Sequence, residues 1–205
     1  MYFVTTQTLI LLAAERLFAA QGIDGTSLRQ ISVAAEQRNA NAAQYHFGDR
    51  ESLIKAIFRH RLDVIDARRR ELLEPLGADS DTRPVVEALI RPLAEQAVRP
   101  DSHYVRFLNR LFEYLGRRPG ALPEAGGLDE AVAAGRLLAD RLSSRLPPVQ
   151  VRLRIRWVSE LILSGLAELE QLHQDGEGGD PEEVTAAVID AATGLLTAPS
   201  SSRPG

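Results

Sequence analysis

The sequence contains no cysteine, so disulfides, thiol nucleophiles and thiolate metal sites are excluded, a composition that suits a reducing cytosol. The four histidines, His46, His60, His103 and His173, lack metal-ligand spacing, and no metal or other cofactor is expected. There is also no nucleophile–base set and no phosphate-cradling loop, which argues against an enzyme. Long hydrophobic runs are missing as well. The stretch "LILLAA", Leu9 to Ala14, is too short to span a bilayer, follows no basic residue and is ended by Glu15-Arg16. Neither a signal peptide nor a transmembrane helix fits it, and a cytoplasmic protein is expected.

What remains is ordinary globular material: 205 residues, 44% hydrophobic and 25% charged. The net charge of −4 is unevenly spread. Residues 1–75 carry ten Lys/Arg against nine Asp/Glu, so the acidity belongs to the remainder of the chain.

Apolar residues recur at three-to-four spacing throughout, and no sustained alternation of period two occurs, so an all-α chain of about nine helices is predicted. Ile10, Ala14, Leu17 and Phe18 form one face of a first helix ended by Gly22. "DGTS" then starts a short second helix with Leu28, Ile31 and Ala35 on its buried side. A third helix, "NANAAQYHF", is predicted with Asn39 as its N-cap and Ala40, Ala43 and Phe47 inward. A fourth helix runs from near Asp49 to about Glu74. Further helices are expected at about 83–99, 102–116, 128–146, 149–174 and 181–197, separated by Pro- and Gly-containing breaks. The last eight residues, 198–205, read as a disordered tail. The layout is an N-terminal three-helix unit over 1–58, a connecting helix continuing to about 74, and a C-terminal bundle over 75–197.

Two short helices joined by a tight turn suggest a helix-turn-helix whose second helix enters the major groove of DNA. With the alanines and Phe47 turned inward, Asn41, Gln44 and Tyr45 share the outward face. Asn and Gln can pair at two points with the adenine edge, worth roughly 1–3 kcal/mol of discrimination. The third helix has no lysine or arginine, so the charge for phosphates must come from its flanks: Arg38 before it, Arg50 after it and Arg29 in the second helix. The backbone amides at the start of the fourth helix would add a positive field there. Thr26, Ser27, Tyr45 and His46 add neutral or switchable donors. The run Arg68, Arg69 and Arg70 is hemmed in by Asp63, Asp66, Glu71 and Glu74, and a solvated helix face is expected there.

"LLAAERLFAAQGIDGTSLRQISVAA" followed by "YHFGDRESL" resembles the N-terminal DNA-binding domain of TetR-family transcriptional regulators. The resemblance covers about residues 8–58. It rests on the A-E-R-L-F-A-x-x-G run, the T-S-L-R-x-I entry to the second helix and the Y-H-F exit from the third. It implies base and phosphate contacts from Asn39, Asn41, Gln44, Tyr45 and His46, with Arg50 where the family usually has a phosphate-touching lysine. It also implies a homodimer on double-stranded operator DNA whose C-terminal domains pair and hold a small-molecule effector. Two departures stand out. The family turn, usually A-G-V-S, is here the longer "AAEQRN", and Glu36 would pay roughly 1 kcal/mol or more in a left-handed conformation, so a different turn shape is expected. Gln44 also replaces the first aromatic of the exit motif.

In the bundle, "YVRFLNRLFEYL" sets aromatics at helical spacing with polar residues between them. His103, Tyr104, Phe107, Arg110 and Leu111, with Trp157, are the candidate wall of an effector pocket. The 149–174 helix is apolar on more than one side, as a helix shared between subunits would be. Val151, Ile155, Val158, Ile162 and Leu166, with Val184, Val188 and Leu195 of the last helix, are the candidate dimer interface. The function these observations favour is a homodimeric regulator, a repressor that leaves a pseudo-palindromic operator when its effector binds. The rival reading is a helical ligand-binding or scaffold protein that no longer binds DNA.

Overall fold

The computed structural model describes residues 5–77, 80–116, 129–177 and 179–200. The expected break at 117–127 and residues 201–205 of the expected tail lie outside the described residues. Those described form nine helices and no strand: α1 (Thr6–Gln21), α2 (Leu28–Ala34), α3 (Ala42–Phe47), α4 (Arg50–Leu73), α5 (Thr82–Ala97), α6 (Tyr104–Gly116), α7 (Asp129–Ser143), α8 (Pro148–Asp175) and α9 (Pro181–Thr197). Among them, no helix is long and apolar enough to cross a membrane.

The chain divides into two compact units, one of residues 1–63 and 101–127, the other of residues 64–100 and 128–205. The helix α4 passes from the first into the second. In the first unit, α1 packs on α2, α3 and α6. Its core is aromatic: Phe107 of α6 lies 6.0 Å from Phe18 of α1 and 5.9 Å from Phe58 of α4, ring centre to ring centre. Tyr104 meets the same Phe58 edge-on. Tyr104, Phe107 and Leu111, expected on a pocket wall, are fully buried, and the two rings belong to this aromatic packing.

One buried carboxylate ties the same helices together. Glu15, 1% exposed, takes both arms of the Arg61 guanidinium at 2.8 and 2.9 Å and accepts the His103 backbone N–H at 3.0 Å. The two-point geometry and the third bond satisfy a charge that would otherwise be expensive to bury. Its position on α1 is thereby fixed against α4 and the start of α6.

In the second unit, α5 packs on α7, α8 and α9, and α8 packs along α9. A Cβ placed on Gly165 of α8 would stand 2.7 Å from a methyl of Val188 on α9, so the two helices close on a hydrogen atom. Val151, Val158, Ile162 and Leu166 of α8 and Val188 of α9 are buried within this unit, while Ile155, Val184 and Leu195 are half-buried. The stripe assigned to a partner is therefore largely occupied by the chain's own core. Val149, Leu153 and Trp157 form the exposed apolar stripe of α8 instead. The arginine run also departs from expectation at one residue. Arg68 pairs with the exposed Glu71 and Glu95 and Arg70 with the half-buried Glu130, but Arg69 is 3% exposed and bonds Asp66 at 2.7 Å. One turn of α4 buries an ion pair, and burial raises the Asp66 carboxyl against the pull of Arg69.

His103 gives the first unit a pH dependence. Burial, followed by the nearby Arg106 charge, lowers its imidazole below the usual histidine range. Its Nδ1 lies 2.7 Å from the Arg106 guanidinium, which can only donate, so the ring accepts there. A folded-state pKa below the unfolded one contributes stability above the unfolded value, about 6.5, and loses it as pH falls through the folded value. Urea melts at pH 7.5 and 5 will show a smaller acid-induced loss for His103→Gln than for the parent chain. A residual loss will remain, because burial and Arg61 lower His60 in the same sense.

Candidate nucleic-acid interface

The stretch leading to α3 is built by capping rather than by helix propensity. Ser27 caps α2 in a reciprocal box: its Oγ accepts the Gln30 N–H at 3.2 Å, while the Gln30 side chain accepts the Ser27 N–H at 2.8 Å. At the other end Glu36 takes the left-handed conformation, φ 56°. The Gln37 N–H then reaches Ser32 O and the Glu36 N–H reaches Val33 O, both at 3.0 Å. This is the usual two-bond closure of a helix end, with glutamate where glycine is usual. The turn thus keeps the left-handed shape that Glu36 was expected to avoid; the two bonds hold it against a cost of about 1–2 kcal/mol.

Six residues are too few for a helix to stand alone, and α3 is held from behind. Ser32, fully buried on α2, donates its hydroxyl to Leu28 O at 3.0 Å and accepts the Ala43 N–H at 2.9 Å. That single oxygen joins the two helices and satisfies one of the open amides of α3. Sequence reasoning overlooked Ser32, although it stands four residues after Leu28 on the side that packs.

The cap of α3 differs from expectation. Asn41, not Asn39, stands at the N-cap position, and the Asn39 side chain accepts the Asn41 N–H at 2.9 Å instead. Helix α3 therefore begins later, and Ala42 joins Ala43 in the buried contact, while Ala40 and Phe47 are half-buried. Asn41, Gln44 and Tyr45 are exposed as their spacing predicts, Tyr45 to 82%. Neither the Asn41 nor the Gln44 side chain makes a hydrogen bond among the described residues, so both amides are available to a ligand. His46 is half-buried, with its ring 5.2 Å from that of Tyr45.

The flanking charges fall into two groups. Arg29 and Arg38 are exposed and form no ion pair among the described residues. Arg50 is half-buried: its guanidinium donates to Thr26 O at 2.9 Å and lies 3.9 Å from the Asp24 carboxylate. It braces the loop between α1 and α2. Thr26 is corrected outright, because its side chain is buried and its hydroxyl donates to Gly22 O at 3.0 Å, at the end of α1. The first turn of α4 is also partly filled, since Asp49 accepts the Ser52 N–H at 2.7 Å. That bond lowers the Asp49 carboxyl, and an anion of the chain's own sits where a phosphate was expected.

Of the remaining candidates, His103 is half-buried and Arg110 exposed on the first unit, where Arg110 pairs with Glu113. Trp157 belongs to the second unit, on α8, and is 49% exposed. Among the described residues no group of three or more His, Cys, Asp or Glu is placed to hold a metal ion.

A short helix held against a second by capping, with amides and a tyrosine outward, is a helix-turn-helix. Residues 10–57 match the family described as "Bacterial regulatory proteins, tetR family". The N-terminal helices are a TetR-family helix-turn-helix domain, and the whole chain has the fold of TetR-family transcriptional regulators. A TetR family transcription regulator from Marinobacter aquaeolei VT8 is similar at 17% identity and a TM-score of 0.58, over 93% of this chain and 94% of that one. HlyIIR, a hemolysin II transcriptional regulator, is similar at 17% identity and a TM-score of 0.54, over 92% and 97%. A TetR variant from Acinetobacter baumannii AYE, solved in complex with minocycline, is similar at 18% identity and a TM-score of 0.50, over 92% of each chain. No curated protein matches.

Ser32→Ala will strand the Ala43 amide in a buried position and lower stability by about 1–3 kcal/mol. Hydrogen exchange at Ala43 will speed up with it; an unchanged exchange rate would remove Ser32 from this role.

Proposed function

We propose that this chain is a homodimeric transcriptional repressor that binds a pseudo-palindromic operator through α3 and leaves it when a small molecule binds. The observation that carries the reading is the outward face of α3. Asn41, Gln44 and Tyr45 stand exposed there while Ala42 and Ala43 are buried behind them. Small residues toward the support and hydrogen-bonding ones toward solvent suit a helix that lies in a groove and reads base edges. Arg29 and Arg38, which form no ion pair among the described residues, are the cations for phosphate, and Ser27, Asn39, His46 and Arg50 line the flanks as further or bracing contacts. Half-sites one helical turn apart require the two α3 helices to be separated by roughly 34–36 Å, which a single copy cannot supply.

The partner-facing surface we favour is the exposed stripe of α8, Val149, Leu153 and Trp157, beside the exposed small residues Ala187, Ala191 and Gly194 of α9. Large apolar groups left on a helix next to a face of small ones are what helices from a second copy would cover. Release by an effector fits a population shift between dimers with matched and unmatched α3 spacing. Minocycline is the ligand of the Acinetobacter baumannii variant.

Binding sites selected from random DNA will be pseudo-palindromic. On them, Arg38→Ala will reduce the slope of log affinity against log salt by about one unit. Gln44→Ala will relax preference at one base pair per half-site. Retention of DNA that ignores salt and both substitutions would favour the ligand-binding or scaffold reading instead. In sedimentation, Trp157→Glu will shift the chain from dimer to monomer, and an unaltered dimer would move the interface off this stripe.

A further inference from the structure

A groove of about 530 Å³ opens in the first unit, apart from the outward face of α3. One wall is a face of α1, where Leu9, Leu12 and Arg16 follow one another at helical spacing. The opposite side is made by the turn after α2, with Glu36, and by Asp101 and His103 just before α6. The volume is that of a site for a small organic molecule, and Leu9 stands 42% exposed on its wall.

The charges in this groove are not spent elsewhere. Arg16, Glu36 and Asp101 make no ion pair among the described residues. His103 accepts from Arg106 and carries no charge in that state. Two carboxylates thus line the groove with one guanidinium, that of Arg16, beside leucine side chains, while the Arg106 guanidinium is engaged with His103 at 2.7 Å. Glu36 and Asp101 are also the two non-glycine residues with positive φ among those described, at 56° and 59°. Each carboxylate is carried on a backbone conformation that side chains seldom adopt.

We propose that this groove binds an amphipathic organic cation, with an apolar body on Leu9 and Leu12 and an ammonium group between Glu36 and Asp101. An anion would meet two like charges and gain only Arg16, which is itself exposed to solvent. A neutral molecule would find the leucines but leave the carboxylates as they are. The sign of the ligand's charge is therefore the property that the site distinguishes.

Three probes of one shape test this: 4-phenylbutylamine, 4-phenylbutanol and 4-phenylbutyrate, titrated calorimetrically into the full chain without DNA at pH 7.5. The amine will bind most tightly, the alcohol about tenfold more weakly, and the acid more weakly still. Glu36→Gln and Asp101→Asn will each weaken the amine by about two- to fivefold and leave the alcohol unchanged, while Arg16→Gln will strengthen it, as exposed ion pairs of this kind allow. Circular dichroism will show that each variant remains folded. Equal binding of the acid and the amine would overturn the proposal. So would amine binding that is unaffected by the paired Glu36→Gln and Asp101→Asn substitutions, which would place the cation elsewhere on the chain.

Discussion

A single buried carboxylate sets the geometry of the first unit. Glu15 has no water to rely on, so its charge is bearable only while Arg61 and the His103 amide are in place. Those partners come from 46 and 88 residues further along the chain, on α4 and at the head of α6. The consequence is that three helices far apart in sequence must arrive together, and the aromatic contacts among Phe18, Phe58, Tyr104 and Phe107 then fill the space they enclose. The platform for α2 and α3 is thus made partly from a helix that the sequence pattern assigns to the C-terminal bundle.

Upon that platform α3 is organised by hydrogen bonds to backbone groups. Ser32 bridges α2 and α3, Glu36 closes α2, Asn39 shapes the entry to α3, and Arg50 grips the carbonyl of Thr26. Each contact is short-range in space and gives little energy alone, since a net hydrogen bond contributes about 1 kcal/mol. Together they leave α3 few ways to rotate. A six-residue helix can present Asn41, Gln44 and Tyr45 in one direction only because its support is specified so closely.

Periodicity made the helices legible, and the A-E-R-L-F, T-S-L-R-x-I and Y-H-F motifs made the fold legible. The bounds of α5 to α9 differ from the expected ones by at most three residues, and the outward set on α3 follows directly from i, i+3, i+4 spacing. What escaped was decided by tertiary contacts. Thr26 reads as an exposed donor until the end of α1 is seen to take its hydroxyl. Arg69 reads as one of three solvated arginines, yet one is rotated inward to Asp66. The stripe Val151, Val158, Ile162 and Leu166 is apolar whether its partner is another subunit or its own α9, and spacing alone carries no information on which.

The close approach of α8 and α9 at Gly165 and Val188 has a meaning for how this sequence can drift. With the Val188 methyl filling the space in front of Gly165, these positions share one allotment of volume. A methyl group gained on α8 has to be given up on α9, so the pair changes jointly or not at all. Among relatives that keep this helix contact, a residue larger than glycine at the first position will be accompanied by one smaller than valine at the second. Where that exchange is absent, the helices have moved apart.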